Sequence, residues 1–243
     1  MQGNEKVKTA IIGAMDIEVE TIRAAMTRKH TASEAGMDFT EGMLADQPTV
    51  VVRCGVGKVR AGMCVQILKD RYAITHVLNT GAAGALHPRL RVKDVVISKD
   101  AVYHDVDATA FGYAPGEVPQ MKRVAYPADA KLIAVAEKAI LNVDQNLHYQ
   151  IGRIATGDQF ISDPRQKRRI FEMFQADCCE MEGAAIAQAS FLNGLPFVIL
   201  RAISDQADGS DLITYAEFEK KAADNSARIV LEMLRVMASW EHC

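Results

Sequence analysis

The chain has 243 residues, 49% hydrophobic and 24% charged, with a formal net charge of −3, which is enough apolar material for one large α/β domain spanning residues 1–243. No Lys/Arg run is long enough to track a phosphate backbone, which argues against nucleic acid as a partner. No apolar run approaches the ~18 residues of a membrane span, and the opening MQGNEKVKTA has no apolar segment before a small-residue cleavage site, so a cytoplasmic protein with no membrane partner is expected.

Residues 8–14, KTAIIGA, read as a buried strand, and Asp16 then opens an amphipathic helix running to about Thr27. Glu18 and Glu20 fall in its first turn, where the helix dipole favours acids, but a carboxylate at a strand-to-helix turn can equally face a cleft. Met37–Met43 and Thr49–Cys54 form a strand pair around the turn Ala45-Asp46-Gln47-Pro48. Cys54-Gly55-Val56-Gly57-Lys58 follows as a GxG turn before a helix over 59–69; without a third glycine it is no dinucleotide fingerprint.

Thr75–Asn79 is a strand predicted to break into the small-residue turn TGAAGA at 80–85, where either a helix or a ligand packs closely. Val92–Ser98 continues as a strand, and Val102–Ala108 carries Tyr103-His104-Asp105-Val106-Asp107; in a strand His104 and the two aspartates point to opposite faces, so no metal site is expected. Phe111, Tyr113, Pro115 and Pro119 lie in a loop over 109–119, suited to a subunit interface or a ligand lid. Helices follow over 129–141 and from Asp163-Pro164, the latter with Arg165, Lys167, Arg168 and Arg169 as a solvated face. Between them Tyr149–Thr156 is a strand leading to Gly157–Ile161. Asp177–Glu182, DCCEME, precedes a small-residue helix, Gly183–Leu192, and Tyr215–Met237 is a closing helix.

The strand Phe197–Asp205, FVILRAISD, is continuously apolar until Arg201, Ser204 and Asp205. Its polar end lies where ligands bind in open α/β sheets, although the nine residues alone also suit an N-cap aspartate beside a salt-bridged arginine. The five cysteines, Cys54, Cys64, Cys178, Cys179 and Cys243, show no CxxC or Cys/His spacing and are expected as reduced thiols, mostly buried. Alternating strands and helices imply a three-layer α/β sandwich with a mixed, largely parallel sheet. If the loops after its strands converge, they gather several acids, an aromatic, a methionine and one arginine.

Seven blocks in order carry a resemblance over nearly the whole chain: IIGAMDIEVE (11–20), CGVGKV (54–59), NTGAAGAL (79–86), YHDVDATAFGY (103–113), GDQFI (157–161), EMEGAAIA (180–187) and RAISDQAD (201–208). They resemble the 5'-methylthioadenosine/S-adenosylhomocysteine nucleosidases of the nucleoside phosphorylase-like superfamily. The resemblance implies hydrolysis of an N-glycosidic bond to adenine and a 5-thioribose, with 5'-deoxyadenosine as a further candidate substrate and no cofactor. It implies that Asp205 protonates adenine N7, that Glu18 activates water, and that Arg201 helps fix Glu18. By the same resemblance Glu182 accepts from the ribose hydroxyls, Met181 floors the sugar, Phe160 stacks on the base and the Ile161 backbone reads its edge. Ser204 supports Asp205, while Val56, Ala82 and Glu180 join the substrate-binding set. Phe111, Tyr113 and Pro119 match a loop reaching a neighbouring subunit's 5' pocket, which implies a homodimer.

Two positions depart from the family pattern. Ala82 stands where a serine is usual, and Ala108 where a valine is usual. A phosphate-dependent nucleoside phosphorylase is the nearest alternative, and Glu18 would repel its phosphate; a 6-amino-6-deoxyfutalosine hydrolase would keep the same catalytic pair. A noncatalytic purine-binding module would need neither an acid nor a base, which Asp205 and Glu18 supply together.

Overall fold

The computed structural model describes residues 7–207 and 212–239, with the side chains of 212–219 excepted. Asp208 of the last sequence block and Cys243 lie outside the described residues. The chain order is β1 (Thr9–Gly13), α1 (Asp16–Ala24), β2 (Thr27–Glu34), β3 (Met37–Leu44), β4 (Gln47–Arg53), α2 (Lys58–Tyr72), β5 (His76–Ala85), β6 (Val95–Tyr103), β7 (Ala125–Pro127), α3 (Ala130–Val143), β8 (Tyr149–Thr156), α4 (Pro164–Phe174), β9 (Cys178–Glu180), α5 (Gly183–Leu192), β10 (Phe197–Asp205) and α6 (Leu212–Ala238).

The strands form one mixed sheet, ordered β10-β6-β8-β9-β5-β1-β4-β3-β2, with β7 paired to β6. The β1–β4, β1–β5, β5–β10, β6–β8 and β8–β9 pairs are parallel. Because strand residues alternate between faces, Ala10 and Ile12 of β1 and Phe197 and Ile199 of β10 join one core with Ala61, Val65 and Ala184–Ala187 of α2 and α5. Ile11, Val198 and Leu200 join the other core with Val19, Leu132, Val135, Val230 and Met233 of α1, α3 and α6. This is the expected helix–sheet–helix layering. In addition β10 also pairs with β5, so β10, β6, β8, β9 and β5 close into a barrel from which the remaining strands extend.

That closure changes the reading of TGAAGA. The segment is not a turn; it is the second half of β5, paired with β10 through Arg201↔Gly81 and Asp205↔Gly84. Its residues are small because side chains of the site occupy the space. A Cβ at Gly81 would stand 2.5 Å from Glu18 Oε1 and 2.9 Å from Arg201 Nη1, and one at Gly84 would stand 2.9 Å from Asp205 Oδ1. Likewise 102–108 is no separate strand: β6 ends at Tyr103. The helix expected to reach Thr27 stops at Ala24, and β2 takes over as an exposed edge strand.

Helix starts follow local chemistry. Asp129 caps α3 through the amides of Lys131 and Leu132, and Asp163 caps α4 through that of Arg165, with Pro164 at the first helical position. Cys54, Cys64, Cys178 and Cys179 are buried and unpaired. No helix among the described residues is long and apolar enough to cross a membrane.

Candidate active site

A cavity of about 230 Å³ opens at the carboxyl ends of β1, β5 and β10, lined by Ala14, Met15, Glu18, Val56, Ala82–Gly84, Phe160, Cys179–Glu182, Ser204 and Asp205. A larger hollow of about 670 Å³ lies along α4, but its lining of Pro164, Arg165, Arg168, Arg169, Glu172 and Met173 belongs to that single helix. The acids gather in the smaller one.

Glu18 combines both roles left open by its sequence position. As the third residue of α1 it folds back over the helix start, where Oε2 accepts the N–H of Ala14 at 2.7 Å and of Met15 at 3.0 Å. Its Oε1 accepts the Ala82 N–H at 3.0 Å, so backbone reaches the carboxylate at the position whose side chain lacks a hydroxyl. Burial lifts its pKa above the ordinary glutamate value; the Arg201 charge and the three amides oppose that without cancelling it.

Asp205 ends β10, with Oδ1 accepting the Ala207 N–H at 2.7 Å and Oδ2 accepting the Ser204 hydroxyl at 2.9 Å. The same hydroxyl lies 3.3 Å from the Ala83 carbonyl. Ser204 therefore has a second acceptor to turn to whenever Asp205 itself carries the proton.

Glu180 and Glu182 lie two residues apart and do different things. The Glu180 carboxylate, grouped by sequence with the substrate-binding residues, is committed to protein donors. Oε2 accepts Arg201 Nη2 at 2.5 Å and the amides of Glu182 at 3.0 Å and Gly183 at 2.7 Å, while Oε1 accepts the Thr156 hydroxyl. Glu182 Oε1 accepts only the Gly57 N–H, at 2.8 Å, and Oε2 has no hydrogen bond among the described residues. Burial, and then the Glu180 charge, push the Glu182 pKa up to about 7.

Arg201 is 2% exposed and stands behind the cavity wall. Its hydrogen bonds go to Glu180, to Asn79 Oδ1 at 2.7 Å and to the Leu200 carbonyl at 3.3 Å. It acts on Glu18 through charge across the bare α-carbon of Gly81. Asn79 also holds the Ile12 carbonyl at 2.9 Å, tying β5 to β1.

Among the other residues named from sequence, Val56, Ala82, Phe160 and Met181 line the cavity, with Phe160 54% exposed at its mouth. The Ile161 side chain is outside the lining, packed into a satellite core with Leu86, Val102 and Phe174. Phe111, 85% exposed, together with Tyr113 and Pro119, also lies outside the lining. Sequence reasoning missed Ala14, Met15, Cys179 and Asn79. The first two immediately follow β1, and their position at a strand end was the available signal.

The phosphorylase superfamily model matches residues 8–235. The chain is 44% identical over 234 residues to a 5'-methylthioadenosine/S-adenosylhomocysteine nucleosidase of Geobacillus thermodenitrificans, covering 96% of this chain and 98% of that one. The crystal structure of the Neisseria meningitidis nucleosidase in complex with methylthio-immucillin-A superposes with a TM-score of 0.91 at 39% identity, covering 94% and 99% of the two chains. Futalosine hydrolase of Helicobacter pylori superposes with a TM-score of 0.88 at 29% identity, covering 94% and 97%. The chain belongs to the 5'-methylthioadenosine/S-adenosylhomocysteine nucleosidase family, within the phosphorylase superfamily.

Proposed function

We propose that this protein hydrolyses the N-glycosidic bond of 5'-methylthioadenosine and S-adenosylhomocysteine, releasing adenine and the matching 5-thioribose. The observation that carries the reading is the placement of Asp205 and Glu18 on the wall of one small cavity, one at the end of β10 and the other at the start of α1. Bond cleavage leaves an oxocarbenium-like sugar and a purine that departs more easily when protonated.

Asp205 donates its proton to adenine N7 as the bond to the anomeric carbon breaks. Ser204 then turns its hydroxyl from the Ala83 carbonyl to the carboxylate left behind. Glu18, anchored by amides, orients water and accepts its proton as the remaining hydroxide oxygen bonds the anomeric carbon. Protons balance: one leaves water for Glu18 and one leaves Asp205 for adenine. Glu182 offers Oε2 to the ribose hydroxyls, Met181 and Val56 contact the sugar side, and Phe160 covers the base. Glu180 acts through Arg201 and the start of α5. The cavity wall holds Glu18, Glu180, Glu182 and Asp205, with the Arg201 guanidinium paired to Glu180 behind it. That balance favours a cationic sugar and disfavours phosphate as the nucleophile.

A homodimer completes this reading. Val59 and Met63 of α2 and Phe191 and Leu192 of α5 are large exposed apolar residues, with Val59 74% and Leu192 64% exposed. Between the two helices a hollow of about 390 Å³ also takes in Tyr103, Val106 and Val118. A face of this kind suits a second copy, and the exposed Phe111 loop follows from the same segment. A cytoplasmic setting agrees with the buried, unpaired thiols. The test is to incubate the protein with 5'-methylthioadenosine, S-adenosylhomocysteine and 6-amino-6-deoxyfutalosine in turn and to quantify adenine. Adenine from the two thioethers supports the reading; adenine from the futalosine derivative alone overturns it.

A further inference from the structure

Lys58, Asp105 and Asp158 lie outside the cavity wall, yet each bonds the other two. Lys58 Nζ is 2.6 Å from Asp105 Oδ2, and the Asp158 N–H donates to the same oxygen at 2.9 Å. The Lys58 N–H donates to Asp158 Oδ1 at 2.9 Å, and Lys58 Nζ stands 3.6 Å from Asp158 Oδ2. The three come from one helix start and two loops. Lys58 opens α2 directly after Gly57, Asp105 follows β6, and Asp158 follows β8 two residues before Phe160.

Each segment has its own reason to depend on this triangle. Gly57, the N-cap of α2, has no side chain with which to cap the helix, and the Asp158 carboxylate supplies that acceptor from another loop. The Gly57 N–H, one residue earlier, is the donor that holds Glu182. On the other side Gly157 passes so near His104 that a Cβ there would stand 2.3 Å from the ring, so the two loops are seated directly on one another.

We infer that Lys58, Asp105 and Asp158 form a positioning triad that fixes the Phe160 loop relative to the Gly57–Glu182 contact, setting the distance between the base-covering ring and the sugar-binding carboxylate. This rests on the proposed nucleoside hydrolysis. None of the three is a catalytic residue; each acts through Phe160 or Glu182. Contacts to base and sugar hold ground state and transition state alike, so loss of the triad raises KM and leaves kcat nearly unchanged.

The experiment is steady-state kinetics on 5'-methylthioadenosine with wild type, Lys58→Met, Lys58→Arg and Asp105→Asn, alongside calorimetric titration of adenine and thermal melts. Removing a charge-assisted, half-buried contact is expected to raise KM for Lys58→Met about tenfold and to weaken adenine binding by a similar factor. A kcat within about threefold of wild type, a Tm within a few degrees and substantial recovery of KM in Lys58→Arg are expected alongside. KM and adenine affinity within twofold of wild type in Lys58→Met would overturn the assignment, as would a parallel fall in kcat and Tm that Lys58→Arg fails to restore. If wild type releases no adenine, hydrolysis fails, and adenine titration of the same variants still decides the triad.

Discussion

Arg201 gives its Nη2 to Glu180 across 2.5 Å, and both side chains are almost sealed from solvent. Glu180 thereby holds the Arg201 guanidinium behind the acidic cavity and, through the amides of Glu182 and Gly183, the start of α5. Breaking one partner of a buried pair leaves the other charge uncompensated. Glu180→Gln is therefore expected to lower unfolding free energy by about 3–5 kcal/mol, read from the urea midpoint at constant m-value. A shift below about 1 kcal/mol, the size of a surface pair, would contradict the assignment.

Gly81 separates Glu18 from Arg201. A methyl group there would meet Glu18 Oε1 at 2.5 Å and Arg201 Nη1 at 2.9 Å, so Gly81→Ala must displace one of them. Overpacking of this kind costs about 1–3 kcal/mol, and the displaced Glu18 no longer presents the same oxygen to water. Turnover is expected to fall at least tenfold while the far-ultraviolet circular dichroism stays that of the folded protein. Wild-type turnover in Gly81→Ala would show that Glu18 is not held against this strand for catalysis.

Asp205→Asn is nearly isosteric and its bonds can be rebuilt. The amide oxygen accepts the Ala207 N–H, while its NH₂ donates to Ser204 as the hydroxyl turns to the Ala83 carbonyl. The variant should fold and bind a methylthioadenosine analogue normally, with kcat lower by about 10²–10⁴ from loss of the general acid. Calorimetry with the analogue separates the two effects; intact turnover would remove Asp205 from the mechanism.

Glu182, with its pKa pushed up to about 7, gives a pH signature of both binding and stability. The folded group is raised above the ordinary glutamate value, so between that value and about 7 the folded state holds more protons than the unfolded one. The contribution of Glu182 to stability consequently declines as pH rises through that window and levels off above it. Ribose hydroxyls seek the ionised carboxylate, so affinity for a nucleoside analogue should rise with pH through about 7, with proton release on binding. Glu182→Gln should flatten that dependence, and titrations in buffers of different ionisation enthalpy measure it. An unchanged profile would place the titration elsewhere.

Much of the layering was legible because β1, β4 and β10 carry continuous apolar runs and α1 and α3 have clear helical faces. The barrel closure was not, since pairing of β5 with β10 is a long-range choice that leaves only small residues in TGAAGA, and small residues also mark turns. β2 escaped because a fully exposed edge strand has no buried face to impose alternation. At the site, Glu18 and Asp205 could be singled out because one sits at a helix start and the other at a strand end, whereas Glu182 was named through the family resemblance. The commitment of Glu180 to Arg201 and Thr156, and the closed triangle of Lys58, Asp105 and Asp158, depend on segments far apart in the chain and leave no local pattern.

The most direct test of the central claim is adenine release from 5'-methylthioadenosine by the purified protein in phosphate-free buffer, with identification of the sugar product. Release at a rate that added phosphate leaves unchanged, with free 5-methylthioribose as co-product, is the expected result. Release that requires phosphate and yields the sugar 1-phosphate would contradict hydrolysis and place phosphate, instead of water on Glu18, at the anomeric carbon.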